Sequence, residues 1–113
     1  MALPTGSGSE ILKRAAASYS TGSTTTILTA PALHIYTILS VSINRDGATA
    51  VVATLTAHNG SADIRLVQES LSEETFVWND RLVLMSGDSL KLGLDSVYSV
   101  NYWVSYIDQN WED

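Results

Sequence analysis

The groups in this sequence able to do acid–base or nucleophilic chemistry are two histidines, twelve carboxylates and an abundance of serine. His34 opens a strand-like run before Ile35-Tyr36, and His58 sits beside Asn59-Gly60. A Ser-His-Asp triad needs an imidazole held between a nucleophile and a carboxylate. No Gly-x-Ser-x-Gly elbow marks a nucleophile, so each histidine reads as an ordinary strand or turn residue. Metal-ligating spacings of the His-Glu-x-x-His or EF-hand type do not occur. Acidic residues gather at Glu69, Glu73 and Glu74, and again at Asp108, Glu112 and Asp113. Carboxylates on neighbouring loops can hold calcium, but these read as solvated loop and terminal charges. The chain has no cysteine, which removes disulfides, thiol nucleophiles and cysteine-bound zinc together. No catalytic residue, metal ligand or cofactor is therefore assigned, and the chain is read as a non-enzyme.

The remaining chemistry is that of surfaces. Trp78, Trp103 and Trp111 join five tyrosines. An exposed row of such rings on a β-sandwich stacks sugars, so a glycan-binding module is one reading. The other is core filling by Tyr102 and Tyr106, with interface packing by Trp103 and Trp111. Asn59-Gly60-Ser61 matches the glycosylation acceptor pattern, but an Asn-Gly turn is expected there on geometric grounds alone.

The elements that must position these residues are strands. From Thr24 onward the apolar residues alternate with period two, which a helix would scatter around its circumference. Thr24–Thr29 is β-branched and stops before Pro31. A long strand follows, with Leu33, Ile35, Thr37, Leu39, Val41 and Ile43 on one face. Its other face carries His34, Ser40, Ser42 and Asn44, interrupted by Tyr36 and Ile38. Asp46-Gly47 and Asn59-Gly60 are read as hairpin turns, because such pairs tolerate the positive φ a tight reversal demands. Between them Val51, Ala53, Leu55 and Ala57 form a core face, which Ile64 and Leu66 continue. Asn79-Asp80, Gly87-Asp88 and Asp95-Ser96 are further turns. The last strand sets Val100, Tyr102, Val104 and Tyr106 against Trp103 and Ile107.

About eight short strands result, an all-β antiparallel β-sandwich of jelly-roll-like form over residues 24–113. Residues 1–23, rich in Gly, Ser, Thr and Ala, read as an N-terminal arm. Ser7 with Glu10 has capping-box spacing ahead of Ile11, Leu12, Ala15 and Ala16, so this stretch is either a short helix or an extended arm.

Composition narrows the partners. The 113 residues carry a net charge of −6 with only six basic residues, of which Lys13-Arg14 is the one adjacent pair. A phosphate-binding surface needs more clustered cations, so nucleic acid is not an expected partner. No run approaches the roughly 20 apolar residues of a membrane helix. Met1 to Gly6 lacks the basic and apolar regions of a signal peptide, and the protein is expected to act inside the cell that makes it or in what assembles there.

Strands with two apolar faces carry the main functional signal. A sandwich strand facing water should be polar on its outer side, and an exposed apolar group is an interaction site. Tyr36, Ile38, Trp103 and Ile107 are accordingly the expected protein–protein contacts, with Lys13 and Arg14 on the arm.

One resemblance follows from these residues. Ile27-Leu28-Thr29-Ala30-Pro31-Ala32 leads into Leu33-His34-Ile35-Tyr36. Leu82-Val83-Leu84 then precedes Gly87-Asp88-Ser89-Leu90, and Val104-Ser105-Tyr106-Ile107-Asp108 closes the domain. This order, over residues 24–108, resembles small β-sandwich structural proteins of tailed bacteriophages, although Ala30 and Ala32 stand where that group often shows a Pro-Ala-Gly turn. The resemblance implies a virion protein without catalytic residues, often trimeric. It would be a capsid decoration (cement) protein bound to the major capsid protein, or alternatively a neck, tail or fibre component.

Overall fold

The computed structural model describes residues 9–111 apart from Thr21. Ser7, Glu112 and Asp113, invoked above, lie outside the described residues. Nine strands run in the order β1 (Ser9–Tyr19), β2 (Thr24–Thr29), β3 (His34–Arg45), β4 (Val51–His58), β5 (Asp63–Leu71), β6 (Glu74–Trp78), β7 (Leu82–Leu84), β8 (Ser89–Leu94) and β9 (Val100–Asn110). They form two sheets, one ordered β1-β9-β3-β6 with β7 also on β3, the other β2-β8-β4-β5. Every pairing is antiparallel. Because β6 and β7 follow one another along the same edge of β3, they behave as one interrupted strand. The chain changes sheet at every connection except the β4–β5 hairpin and the β6–β7 break. That interleaving is the jelly roll, and the expected fold class is the observed one.

Ile38, Val41, Ile43, Val51, Leu55, Leu90, Leu92 and Val104 are all essentially inaccessible and fill the space between the sheets. Their strands are built from β-branched and leucine residues at alternate positions, the pattern a half-buried pleated surface requires. At one end Arg45 closes the core. Its Nε donates to the Thr49 carbonyl at 3.0 Å, and its Nη1 to the Ser99 carbonyl at 2.9 Å. Gly47 leaves room for that guanidinium, since a Cβ there would lie 2.4 Å from Nη2.

Three expectations are corrected. The stretch weighed as a short helix or a free arm is β1, an edge strand paired with β9 along its whole length. Local helix propensity of the alanines gives way to eleven residues of cross-strand pairing. Second, only Asn59-Gly60 makes a hairpin. Asp46-Gly47, Gly87-Asp88 and Asp95-Ser96 reverse the chain but deliver it to the opposite sheet, and Asn79-Asp80 merely interrupts an edge. A tight turn specifies reversal, not which partner the second strand finds.

The third correction is one of phase. The β3–β9 register shifts between Ile38 and Ser40, with Leu39 as the extra residue of a bulge. Tyr36 and Ile38 therefore point inward before the bulge, and Val41 and Ile43 after it. A similar shift opposite Leu55/Thr56 makes Leu66 the extra residue of β5; Ile64 pairs with Ala57 on the core side yet is exposed, where a core position was expected.

The Gly87 turn shows what local geometry costs. Gly87 has φ +89°, and its amide donates to the Ala30 carbonyl at 2.9 Å while Asp88 Oδ2 accepts from the Met85 amide at 3.0 Å. Space around the missing Cβ is open, so backbone strain alone opposes a side chain. Gly87→Ala is expected to lower the unfolding free energy by about 1 kcal/mol, measured by urea titration.

Candidate assembly surface

The outward residues of the β1-β9-β3-β6 sheet form rows set by strand register. Ala16, Trp103, Ser42 and Val77 lie side by side, as do Arg14, Ser105 and Ser40, and Leu12, Ile107, Thr37 and Val83. Several are unusually open for apolar side chains, with Leu12 71%, Val77 51%, Val83 51% and Trp103 46% exposed. The Arg14 guanidinium lies 4.6 Å over the Trp103 ring, a cation–π contact that holds the indole in place. Together with Leu12, Lys13, Leu39, Ser40 and Ser105 they line a shallow hollow of about 520 Å³.

Polar ladders bound this apolar stripe. At one end Ser18 Oγ donates to Asn101 Oδ1 at 2.6 Å, and Asn44 Nδ2 donates to Thr75 Oγ1 at 2.8 Å. At the other, Gln109 Nε2 donates to Glu10 Oε1 at 2.8 Å. An apolar centre with a polar rim is the anatomy of a protein interface. The outer face of the other sheet is different in kind. Thr24, Thr26, Thr54, Thr56, Arg65, Gln68 and Lys91 cover it, with Gln68 Nε2 bonded to Thr54 Oγ1 at 3.2 Å. One face suits water and the other does not.

Among the residues expected to make contacts, Arg14, Trp103 and Ile107 come together on the apolar face. Tyr36 and Ile38 do not: they are 7% and 0% exposed, inside the sandwich. The Leu39 bulge, invisible to a uniform period-two reading, put them on the wrong side. Lys13 is on the inner side of β1, its Nζ 2.7 Å from Asp108 Oδ2. Leu12, Leu39, Val77 and Val83 were missed. Leu12 had been read within a short helix or an extended arm, and Val77 and Val83 sit among other apolar residues, so only the pairing to β3 and β9 reveals their orientation.

Asp108 is the one buried carboxylate among the described residues. Its Oδ1 lies 2.7 Å from His34 Nδ1 and its Oδ2 takes the Lys13 bond. Tyr36 and Tyr106 pack beside it as a tilted pair with centroids 4.7 Å apart. Burial pushes this carboxyl up, but the hydrogen bonds from Lys13 and His34 outweigh it, so it titrates below the ordinary carboxylate value. The same burial raises the Tyr36 phenol. The carboxylate ties β1, β3 and β9 together, and the imidazole that reaches it has Lys13 as its neighbour on that carboxylate. His58 and Asp63 pair separately across the hairpin at 2.6 Å, near Lys91 at 3.5 Å.

Among the described residues, no three His, Asp or Glu side chains cluster to hold a metal ion, and no helix is long and apolar enough to cross a membrane. The aromatic rings do not align on one face. Trp78 is buried, Tyr36 and Tyr106 face inward, and Tyr98 lies under Arg45 at 5.2 Å.

No family model matches the chain, and no curated protein matches it. Fold similarity is found instead. A chain of the T13 viral particle of IBDV superposes with TM-score 0.59 at 10% identity, over 94% of this chain and 32% of that one. A protein of Bacillus endospore appendages, which form disulfide-linked pili, gives TM-score 0.58 at 9% identity, over 99% and 97%. A pentameric capsid protein from metagenomic phage sequences gives 0.45 at 18%, over 86% and 61%. The chain thus spans about a third of the IBDV chain and under two thirds of the phage capsid chain. The fold places it in the jelly-roll class.

Proposed function

We propose that this chain is a non-catalytic bacteriophage virion protein, a capsid decoration protein that lays the outer face of its β1-β9-β3-β6 sheet on the major capsid protein lattice. The contrast between the two outer faces carries the reading, because only one sheet presents an apolar centre inside a polar rim. Four strands about 4.8 Å apart and eleven residues long at about 3.3 Å each make a face of about 700 Å². That approaches the roughly 800 Å² per partner of a stable interface. The sequence resemblance to tailed-phage structural proteins supports a virion, and the IBDV fold likeness is compatible with it. The pilus likeness fits assembly in general, but this chain has no cysteine for a disulfide-linked fibre. Self-association would multiply weak lattice contacts.

Trp103 is the expected anchor. Large aromatics near the centre of an interface dominate its energy. Trp103→Ala is expected to weaken co-sedimentation with purified particles about tenfold while leaving the unfolding midpoint unchanged. Equal binding by the variant would remove this face from the assignment. Immunogold labelling of particles decides location: gold over the whole head supports decoration, and gold at one vertex or along the tail supports the neck, tail or fibre alternative. Particles without label or peptide would exclude the virion role.

A further inference from the structure

The sandwich has four sheet edges, and three of them are interrupted. β2 shifts register between Thr26 and Leu28, β5 shifts opposite Leu55/Thr56, and the β6–β7 edge breaks over residues 79–81. Such irregularities twist or break the row of free amides and carbonyls that would otherwise recruit another strand. β1 has none of them. It follows β9 from Ser9 to Tyr19 without a shift and contains no proline.

We propose that the free edge of β1 pairs antiparallel with the β1 edge of a second copy, joining two sandwiches through one continuous sheet. The side chains select the register. With Leu12 facing Leu12 of the other copy, Glu10 stands opposite Arg14 on both sides of the two-fold axis. All three residues lie on the outer face, and Leu12 is the most exposed of its apolar side chains. Centring on Lys13 or Arg14 sets like charges against each other, which is unfavourable in directly opposed pairs. Centring on Ala15 or Ala16 carries Glu10 beyond Arg14 and matches no opposite charges. Lys13 is held on the inner face by Asp108, so it leaves the exchange to Glu10 and Arg14. The Leu12 register also keeps both apolar outer faces on the same side of the joined sheet. This pairing does not depend on where the protein works.

Sedimentation velocity of the full chain over a range of concentrations tests it. The wild type is expected to form dimers. Leu12→Lys, at an exposed position, should weaken the dimer about tenfold or more, and Arg14→Glu likewise. The double exchange Glu10→Arg/Arg14→Glu should restore association to within about threefold of wild type, since it re-creates both opposite-charge pairs. Circular dichroism melting checks that each variant is folded. A monomer at every concentration, a trimer, or a dimer indifferent to both single changes overturns the pairing. A dimer that the double exchange fails to restore overturns the register. A monomer that still co-sediments with particles sinks this inference and leaves the decoration reading standing.

Discussion

Replacing Ile38 by alanine is expected to remove about 3–4 kcal/mol of unfolding free energy, the largest effect of any single change considered. Ile38 is wholly inaccessible, with Tyr106 beside it on β9 and Leu82 on β7. Truncation loses the transfer free energy of the side chain and leaves a cavity that a two-sheet core closes only in part. A domain of this size is stable by about 5–15 kcal/mol, so a large share of the total would go. Urea unfolding measures it through the midpoint, with the slope unchanged. Folded Ile38→Ala protein should still bind whatever the wild type binds, because the residue faces no partner. A loss below about 1 kcal/mol would place Ile38 outside the core and remove the bulge at Leu39 from the account.

Asp108→Asn is expected to cost about 2–3 kcal/mol at neutral pH, because hydrogen bonds to an ionised group outweigh neutral ones. Lys13 still reaches solvent with 41% of its side chain, which keeps the loss below that of a fully buried ion pair. The pH dependence gives the sharper test. The folded Asp108 pKa lies below that of the unfolded chain, so its contribution is complete above the ordinary carboxylate value and fades as pH falls through the folded one. Lys13 runs the opposite way. Its hydrogen bond to Asp108 raises its pKa, so its contribution is complete below the ordinary lysine value and is lost as pH rises through the folded one. Asparagine imitates the protonated acid, so the difference between wild type and variant should be full at pH 7 and close in acid. A gap that persists unchanged to the lowest measurable pH would mean that Asp108 has the same pKa in the folded and unfolded chain, so that its ionisation does not stabilise the fold.

The two results bear on how much of this molecule its sequence discloses. The last strand was read correctly residue by residue, with Val100, Tyr102, Val104 and Tyr106 inward and Trp103 and Ile107 outward. A regular strand keeps its phase, so alternation suffices. β3 contains the same information up to Leu39, where one inserted residue reverses every later side chain. Nothing in Ile38-Leu39-Ser40 announces that insertion. Ser105 of β9 faces Ser40 while Tyr106 faces Ile38, and only this pairing defines Leu39 as extra. The Ala15-Ala16-Ala17 run has a local preference for helix, overridden by β9 some ninety residues away in the chain. The apolar stripe was half visible, because Trp103 announces itself whereas Val77 and Val83 acquire their orientation from β3. Asp108 looked like a terminal charge among others. Its burial depends on Lys13 and His34 arriving from two distant strands.

The partnership of β1 with β9 has a further meaning for how the protein comes into being. Of the nine strands β1 is made first and β9 last, and among the described residues β9 is the only strand that β1 touches across a ladder. β3, too, must wait for β9 on one side and for β6 and β7 on the other. The sheet that carries the apolar face therefore cannot grow strand by strand as the chain leaves the ribosome. It closes in one late event, after long loops have been drawn together, which is the slow regime for β-rich domains. Until then Leu12, Ile38 and Val41 are open to other nascent chains. Rapid synthesis of many copies in one cell would make this waiting period the stage most vulnerable to aggregation.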